Sequence, residues 1–137
     1  MAKADMQLTL QGGRDRFDWR QYQPGETLQG VLTIVPDQDV RCQHVYVRLG
    51  WHTEGRGTRY DANVEELDLF QGTLTGGMPR VFEFSFTLPR DPWSFQGHYV
   101  SVVWDVLARI DVSWAKDPTQ VTGFVLRPFP EQTFGLS

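Results

Sequence analysis

An antiparallel β-sandwich is the fold class this sequence predicts, and three observations predict it. Apolar residues recur at every second position in several runs, the period of a strand that buries one face. Short Gly- and Pro-containing turn sequences separate those runs. No window of comparable length repeats apolar residues every 3.6 positions, so helix is expected to be scarce.

Each element follows in order. Met6–Leu10 alternates as a short first strand and ends at Gly12-Gly13. After Gln23-Pro24-Gly25, the run Leu28, Gly30, Leu32, Ile34 predicts a second strand, closed by Pro36-Asp37. Val45, Val47, Leu49 and Trp51 form the next apolar face, closed by Gly55-Arg56-Gly57. A strand near Glu65–Phe70 leads to Gly76-Gly77. Phe82, Phe84, Phe86 and Leu88 then alternate with Glu83, Ser85 and Thr87, one dry face and one wet. Beyond Pro89-Arg90-Asp91-Pro92, the longest run places Val100, Val102, Trp104, Val106, Ala108, Ile110, Val112 and Trp114 on one face. Ser101, Asp105, Arg109, Asp111 and Ser113 fall on the other, so a slip of one residue would move every aromatic into water. At ~3.3 Å per residue this run is long, and it is expected to bend, bulge or pass between sheets. Thr122–Arg127 is the last predicted strand, and Pro128-Phe129-Pro130 cannot easily extend a ladder. Seven or more short strands with regular turns suit an immunoglobulin-like sandwich.

At 137 residues the chain is expected to form one domain, residues 1–137, around one core. A hydrophobic fraction of 40% against 22% charged is ordinary globular usage and argues against disorder. The net charge is −4 with Lys and Arg interspersed among acids, so there is no basic face for nucleic acid or anionic lipid. Cys42 is the only cysteine, which excludes an intrachain disulfide and a thiol-rich metal site. It is expected as a half-buried thiol just before a strand. The start Met1-Ala2-Lys3-Ala4-Asp5 lacks the apolar core of a signal peptide, and no run spans a bilayer. A cytoplasmic location without membrane insertion is the expectation.

Catalytic constellations do not emerge. No G-x-S-x-G elbow and no Gly-rich phosphate cradle is present. His44 and His52 lie opposite the Val45–Trp51 apolar face, and converging on zinc with Glu54 at ~2 Å would require unusual bending. His98 reads as a turn or edge histidine. Glu65, Glu66 and Asp68, near Asp61, read as a solvated strand edge and not as a paired-carboxylate cleft. No cofactor is expected.

Two segments carry a resemblance. Tyr22-Gln23-Pro24-Gly25-Glu26-Thr27-Leu28-Gln29-Gly30 is similar to the Tyr-x-Pro-Gly-Glu-x-hydrophobic-x-Gly opening of arrestin-type N-terminal domains. Phe82–Pro89, then Trp93-Ser94-Phe95-Gln96-Gly97 and the long strand, resembles the Phe-x-Phe-x-Leu-Pro and Ser-Phe-x-Gly hairpin of that family. Order and spacing fit over most of the chain. The matching residues Tyr22, Pro24, Gly25, Glu26, Gly30, Pro89, Ser94, Phe95 and Gly97 are read as structural. Pro24-Gly25 suits a tight turn, while Gly30 and Gly97 suit a bulge or a close backbone approach. The resemblance implies a scaffold or adaptor, as in arrestins, the retromer subunit of arrestin fold and bacterial sporulation-control proteins. It covers only the N-terminal half of a two-domain arrangement. Met6–Leu10 lacks the adjacent lysines with which receptor arrestins sense phosphate.

The expected function is therefore binding another protein. A surface that docks a sister domain in two-domain relatives would face a partner or another copy, so homo-oligomerisation is a further expectation. The mobile loop Glu54–Tyr60 offers Arg56, Arg59 and Tyr60, residue types enriched at interface hot spots. Arg14 and Arg16, beside Phe17 and Trp19, form a second candidate patch, and Trp93 is a third. Two other functions fit the same fold: a self-assembling structural subunit, and a carbohydrate-binding module with a platform of aromatics. Trp51, Trp104 and Trp114 fall on core faces, which leaves Trp19 and Trp93 as surface aromatics.

Overall fold

A computed structural model describes residues 4–16, 19–112 and 117–128. Ten strands and no helix occupy the described residues: β1 Ala4–Gln11, β2 Arg14–Arg16, β3 Trp19–Tyr22, β4 Thr27–Pro36, β5 Val40–Gly55, β6 Asp61–Leu74, β7 Arg80–Thr87, β8 Phe95–Gln96, β9 Val100–Asp111 and β10 Thr119–Leu126. They form two sheets. The smaller has the order β1-β4-β7; the larger runs β2-β3-β10-β9-β5-β6, with β8 paired to β9 off that path. Pairings are antiparallel except β10 with β3, which is parallel.

The alternation read from the sequence decides which face each strand buries. Leu28, Leu32 and Ile34 of β4, Phe84 and Phe86 of β7, and Leu8 and Leu10 of β1 point into the core from the small sheet. Val45, Val47 and Leu49 of β5, and Trp104, Val106, Ala108 and Ile110 of β9, meet them from the large one. Trp104, fully buried, donates its indole N–H to the Pro92 carbonyl at 2.8 Å, so its polar atom is satisfied in the dry core. Trp51, in register with Trp104, is half-buried against the core, and Trp114 lies outside the described residues.

Both open sides of the sandwich are fastened. Along one, the rings of Phe70 and Phe82 lie 5.8 Å apart, and the Arg80 guanidinium sits 4.7 Å from the first and 5.4 Å from the second. Along the other, the fully buried Tyr22 donates its hydroxyl from β3 to the Gln11 carbonyl of β1 at 2.8 Å. Thr122 of β10 donates to the Leu8 carbonyl at 3.4 Å.

The remaining motif residues have structural causes. Gly25 adopts φ 83°, and Glu26 N–H closes the turn on the Gln23 carbonyl at 3.0 Å. The Glu26 carboxylate accepts the Gln23 N–H at 2.8 Å, while Gly25 N–H and the Glu26 carbonyl pair with Leu88. This turn therefore staples the start of β4 to the end of β7. Gly30 is the close approach anticipated at that position, since the Phe84 ring lies directly over it. Gly97 makes room for the Phe95 ring in the same way.

Two expectations need correction. From Val100 to Asp111 the long run does not bulge or change sheets: β9 keeps one unbroken register against β5, from His44 opposite Asp111 to Gly55 opposite Val100. The irregularities fall on the other side of β5, where its pairing with β6 shifts at three places. Cys42 is buried within β5, neither half-exposed nor ahead of the strand, because Gln43 and His44 form a bulge that restores the inward face at Val45.

A candidate interaction groove at a fork in the sheet

The N-terminal half of β9 has a different neighbour from its C-terminal half. From Trp104 to Arg109 it pairs with β10, whereas at Ser101 and Val102 it pairs with the two-residue β8. Past Phe124, β10 turns to β3, pairing Val125 with Gln21 and Leu126 with Tyr22. The sheet forks at Val103. Ser94 bridges the gap: its N–H donates to the Leu126 carbonyl at 2.9 Å, and its Oγ accepts the Leu126 N–H at 2.8 Å.

An open groove of about 530 Å³ occupies the fork, lined chiefly by Trp19, Gln21, Phe95, Val103, Val125 and Arg127. That volume suits a few side chains of a docked segment. Two of its walls are large exposed aromatics: Trp19 is 49% exposed and Phe95 is 56% exposed. Gln21 is the one buried polar residue among those described, and its amide donates to the carbonyls of Arg127 and Pro128 at 3.2 and 3.3 Å. It thereby fixes the path of the chain along the groove floor. A second depression of about 620 Å³ meets the first at Pro128, and Pro24, Glu26, Arg90 and Trp93 line it. The Trp93 indole donates to the Arg90 carbonyl at 2.9 Å, which holds the ring at 49% exposure.

The other surface candidates are largely engaged with their own neighbours. Arg59 chelates Asp61 through Nε at 3.0 and 3.2 Å, and Tyr60 leans on Trp51 at 5.3 Å. The Arg56 guanidinium lies 5.4 Å from the Tyr99 ring, and the backbone N–H of Arg56 donates to the Tyr99 carbonyl at 3.0 Å. Arg14 is exposed on β2, in register with Gln21, and Arg16 pairs with Trp19, so β2 runs beside the strand that carries Trp19. The structure thus brings Trp19 and Phe95 together, sets Trp93 in the adjoining depression, and holds Arg56, Arg59 and Tyr60 apart on the β5–β6 hairpin. Trp19 was legible as a surface aromatic, but its meeting with Phe95 and Val103 joins three distant segments and left no local signal.

The titratable groups are arranged for charge compensation. His44 Nδ1 lies 3.0 Å from Asp68, and Arg48 is 3.3 Å from Glu66. His52 has Nε2 2.8 Å from Glu54 Oε2 and Nδ1 3.4 Å from Asp105 Oδ2, so its ring lies between two carboxylates. Burial raises the Asp105 carboxyl above its usual range, against the opposing pull of His52 and Arg59. Among the described residues no group of three or more His, Cys, Asp or Glu is placed to hold a metal ion. No helix there is long and apolar enough to cross a membrane.

No protein-family model and no curated protein matches the sequence. Among solved structures the chain is similar to Spo0M, a sporulation control protein from Bacillus subtilis, with a TM-score of 0.69 and 21% identity. The match covers 94% of this chain and 50% of that one, so the chain spans about half the length of Spo0M. The likeness is one of backbone architecture, and with the two sheets above it establishes an arrestin-like β-sandwich fold.

Proposed function

We propose that this chain is a non-catalytic interaction module of the cytoplasm that docks a segment of another protein in the forked groove. The observation that carries this reading is the pairing of two half-exposed aromatics, Trp19 and Phe95, across a groove between strands that have parted. Large aromatics presented at a concave site supply most of the affinity of many interfaces. The likeness to a sporulation control protein is in keeping with a regulatory role.

The test is proximity labelling by a photo-crosslinker placed at Phe95, comparing the parent chain with a Trp19→Ala background. A discrete crosslinked protein lost in Trp19→Ala supports the reading. Crosslinks only to a second copy, with a dimer in light scattering, replace it with a self-assembling subunit. Binding of oligosaccharides quenched through Trp19, without any protein crosslink, replaces it with a carbohydrate module.

A further inference from the structure

The docking reading leaves the chemistry of the partner open, and the charges around the groove narrow it. Four ionisable side chains line the two joined depressions: Glu54, Glu26, Arg127 and Arg90. Both acids are already engaged. Glu54 is held by His52 at 2.8 Å, and Glu26 accepts the Gln23 N–H at 2.8 Å. Neither arginine has a carboxylate partner among the described residues, and both are exposed. The Ser94–Leu126 bridge ties the Pro89–Ser94 connector to the end of β10. Arg90 and Trp93 line one depression, Arg127, Trp19 and Phe95 line the other, and Pro128 lines both. Rings and guanidinium groups thus line a tract of two depressions that share Pro128.

We propose that this tract binds an extended acidic segment of a partner protein, with apolar side chains against Trp19, Phe95 and Trp93 and carboxylates on Arg127 and Arg90. The inference rests on the docking reading above. Guanidinium groups favour carboxylates because their planar fork forms paired, charge-assisted hydrogen bonds. The overall charge of −4 does not oppose this. At physiological ionic strength, screening acts over ~8 Å, so the acids that count are Glu54 and Glu26 within the tract, each already held by a hydrogen bond inside the chain.

The experiment measures binding of three fluorescent peptide pools to the full chain, by anisotropy. The pools share alternating apolar residues, and the intervening positions are acidic, basic or uncharged. The acidic pool is expected to bind at least about tenfold more tightly than either other pool. Raising the salt weakens it, and an Arg90→Ala/Arg127→Ala variant with unchanged thermal stability abolishes the preference. Equal binding of the uncharged pool that Trp19→Ala removes overturns the acidic partner and leaves the groove as the docking site. Binding that Trp19→Ala does not weaken overturns the groove as well. Absence of binding by every pool overturns the proposal; concentration-dependent dimerisation lost in Trp19→Ala would then seat a second copy there.

Discussion

Gly30 is where packing leaves least latitude, and Gly30→Ala measures it. A Cβ at this position would lie 2.2 Å from Cζ of Phe84, 2.6 Å from Cε2 and 2.8 Å from Cε1. Carbon atoms rest at about 3.5–4.0 Å, so the ring would have to retreat by roughly 1.5 Å. Phe84 has little room to do so: it is 7% exposed, and the Phe86 ring stands 5.7 Å away. Overpacking of this kind costs about 1–3 kcal/mol, while restricting the unfolded chain by Gly→Ala returns about 0.4–1 kcal/mol. The steric effect wins, for a net loss of about 1–2 kcal/mol. In urea melts the midpoint falls with the slope unchanged, and Tm drops by about 3–5 °C per kcal/mol for a chain of this size. Phe84→Leu alone costs about 1 kcal/mol. In the Gly30→Ala background the shorter side chain relieves the overlap, so the double variant is more stable than the two losses added, by about 1 kcal/mol. A Gly30→Ala chain as stable as the parent, or strict additivity in the cycle, would refute the reasoning.

Three further predictions concern titratable groups. Burial raises the Tyr22 phenol from 10.0 to about 12, so the stability it contributes is full below pH 10 and lost as pH rises from 10 through 12. Tyr22→Phe strands the Gln11 carbonyl, costing about 1–2 kcal/mol at neutral pH, and flattens the alkaline decline seen by circular dichroism. Asp105 binds its proton more tightly folded than unfolded, so its contribution is largest below pH 3.8 and declines as pH rises through its folded value. The stability of the parent relative to Asp105→Asn should therefore fall across that window in urea titrations; a rise would invert the assignment. Cys42 is buried and its thiol is raised, chiefly by desolvation and further by the Asp111 charge, so it should resist a thiol reagent until the chain unfolds. Rapid labelling of the native protein counts against the bulge that turns it inward.

The strands facing the core were legible because their periodicity is a direct image of burial. The Phe82–Leu88 run and the longest run from Trp104 to Val112 each show one dry face in the sequence and in the structure. Val100, read onto that same face, is instead 41% exposed, because the strand there has left the core for the fork. The Tyr22–Gly30 segment was equally readable, since a Pro-Gly turn and a strand glycine constrain the backbone locally. Legibility ended where pairing is non-local. β5 extends from Val40 to Gly55, well beyond its apolar core, because a bulge at Gln43 and His44 breaks the alternation that would have announced it. β2 and β3 are too short to show a period. The fork at Val103 depends on β10 leaving β9 for β3, a choice between partners that no single segment encodes.

The fork also determines how the protein breathes. β8 is held by two ladder positions, the Ser94–Leu126 exchange and the Gly97 N–H to Val100 carbonyl bond, while β9 behind it is secured along its whole length by β5. Opening β8 therefore requires far less free energy than global unfolding. Amide hydrogens of Phe95 and Gln96 are expected to exchange with solvent through such local excursions, ahead of those in the β5–β9 ladder, as hydrogen-exchange measurements would show. Each excursion swings the Phe95 wall away from Trp19 while the core stays shut. A groove with such a wall would vary in width, and an occupant that spans both walls would register as slowed exchange at two adjacent amides.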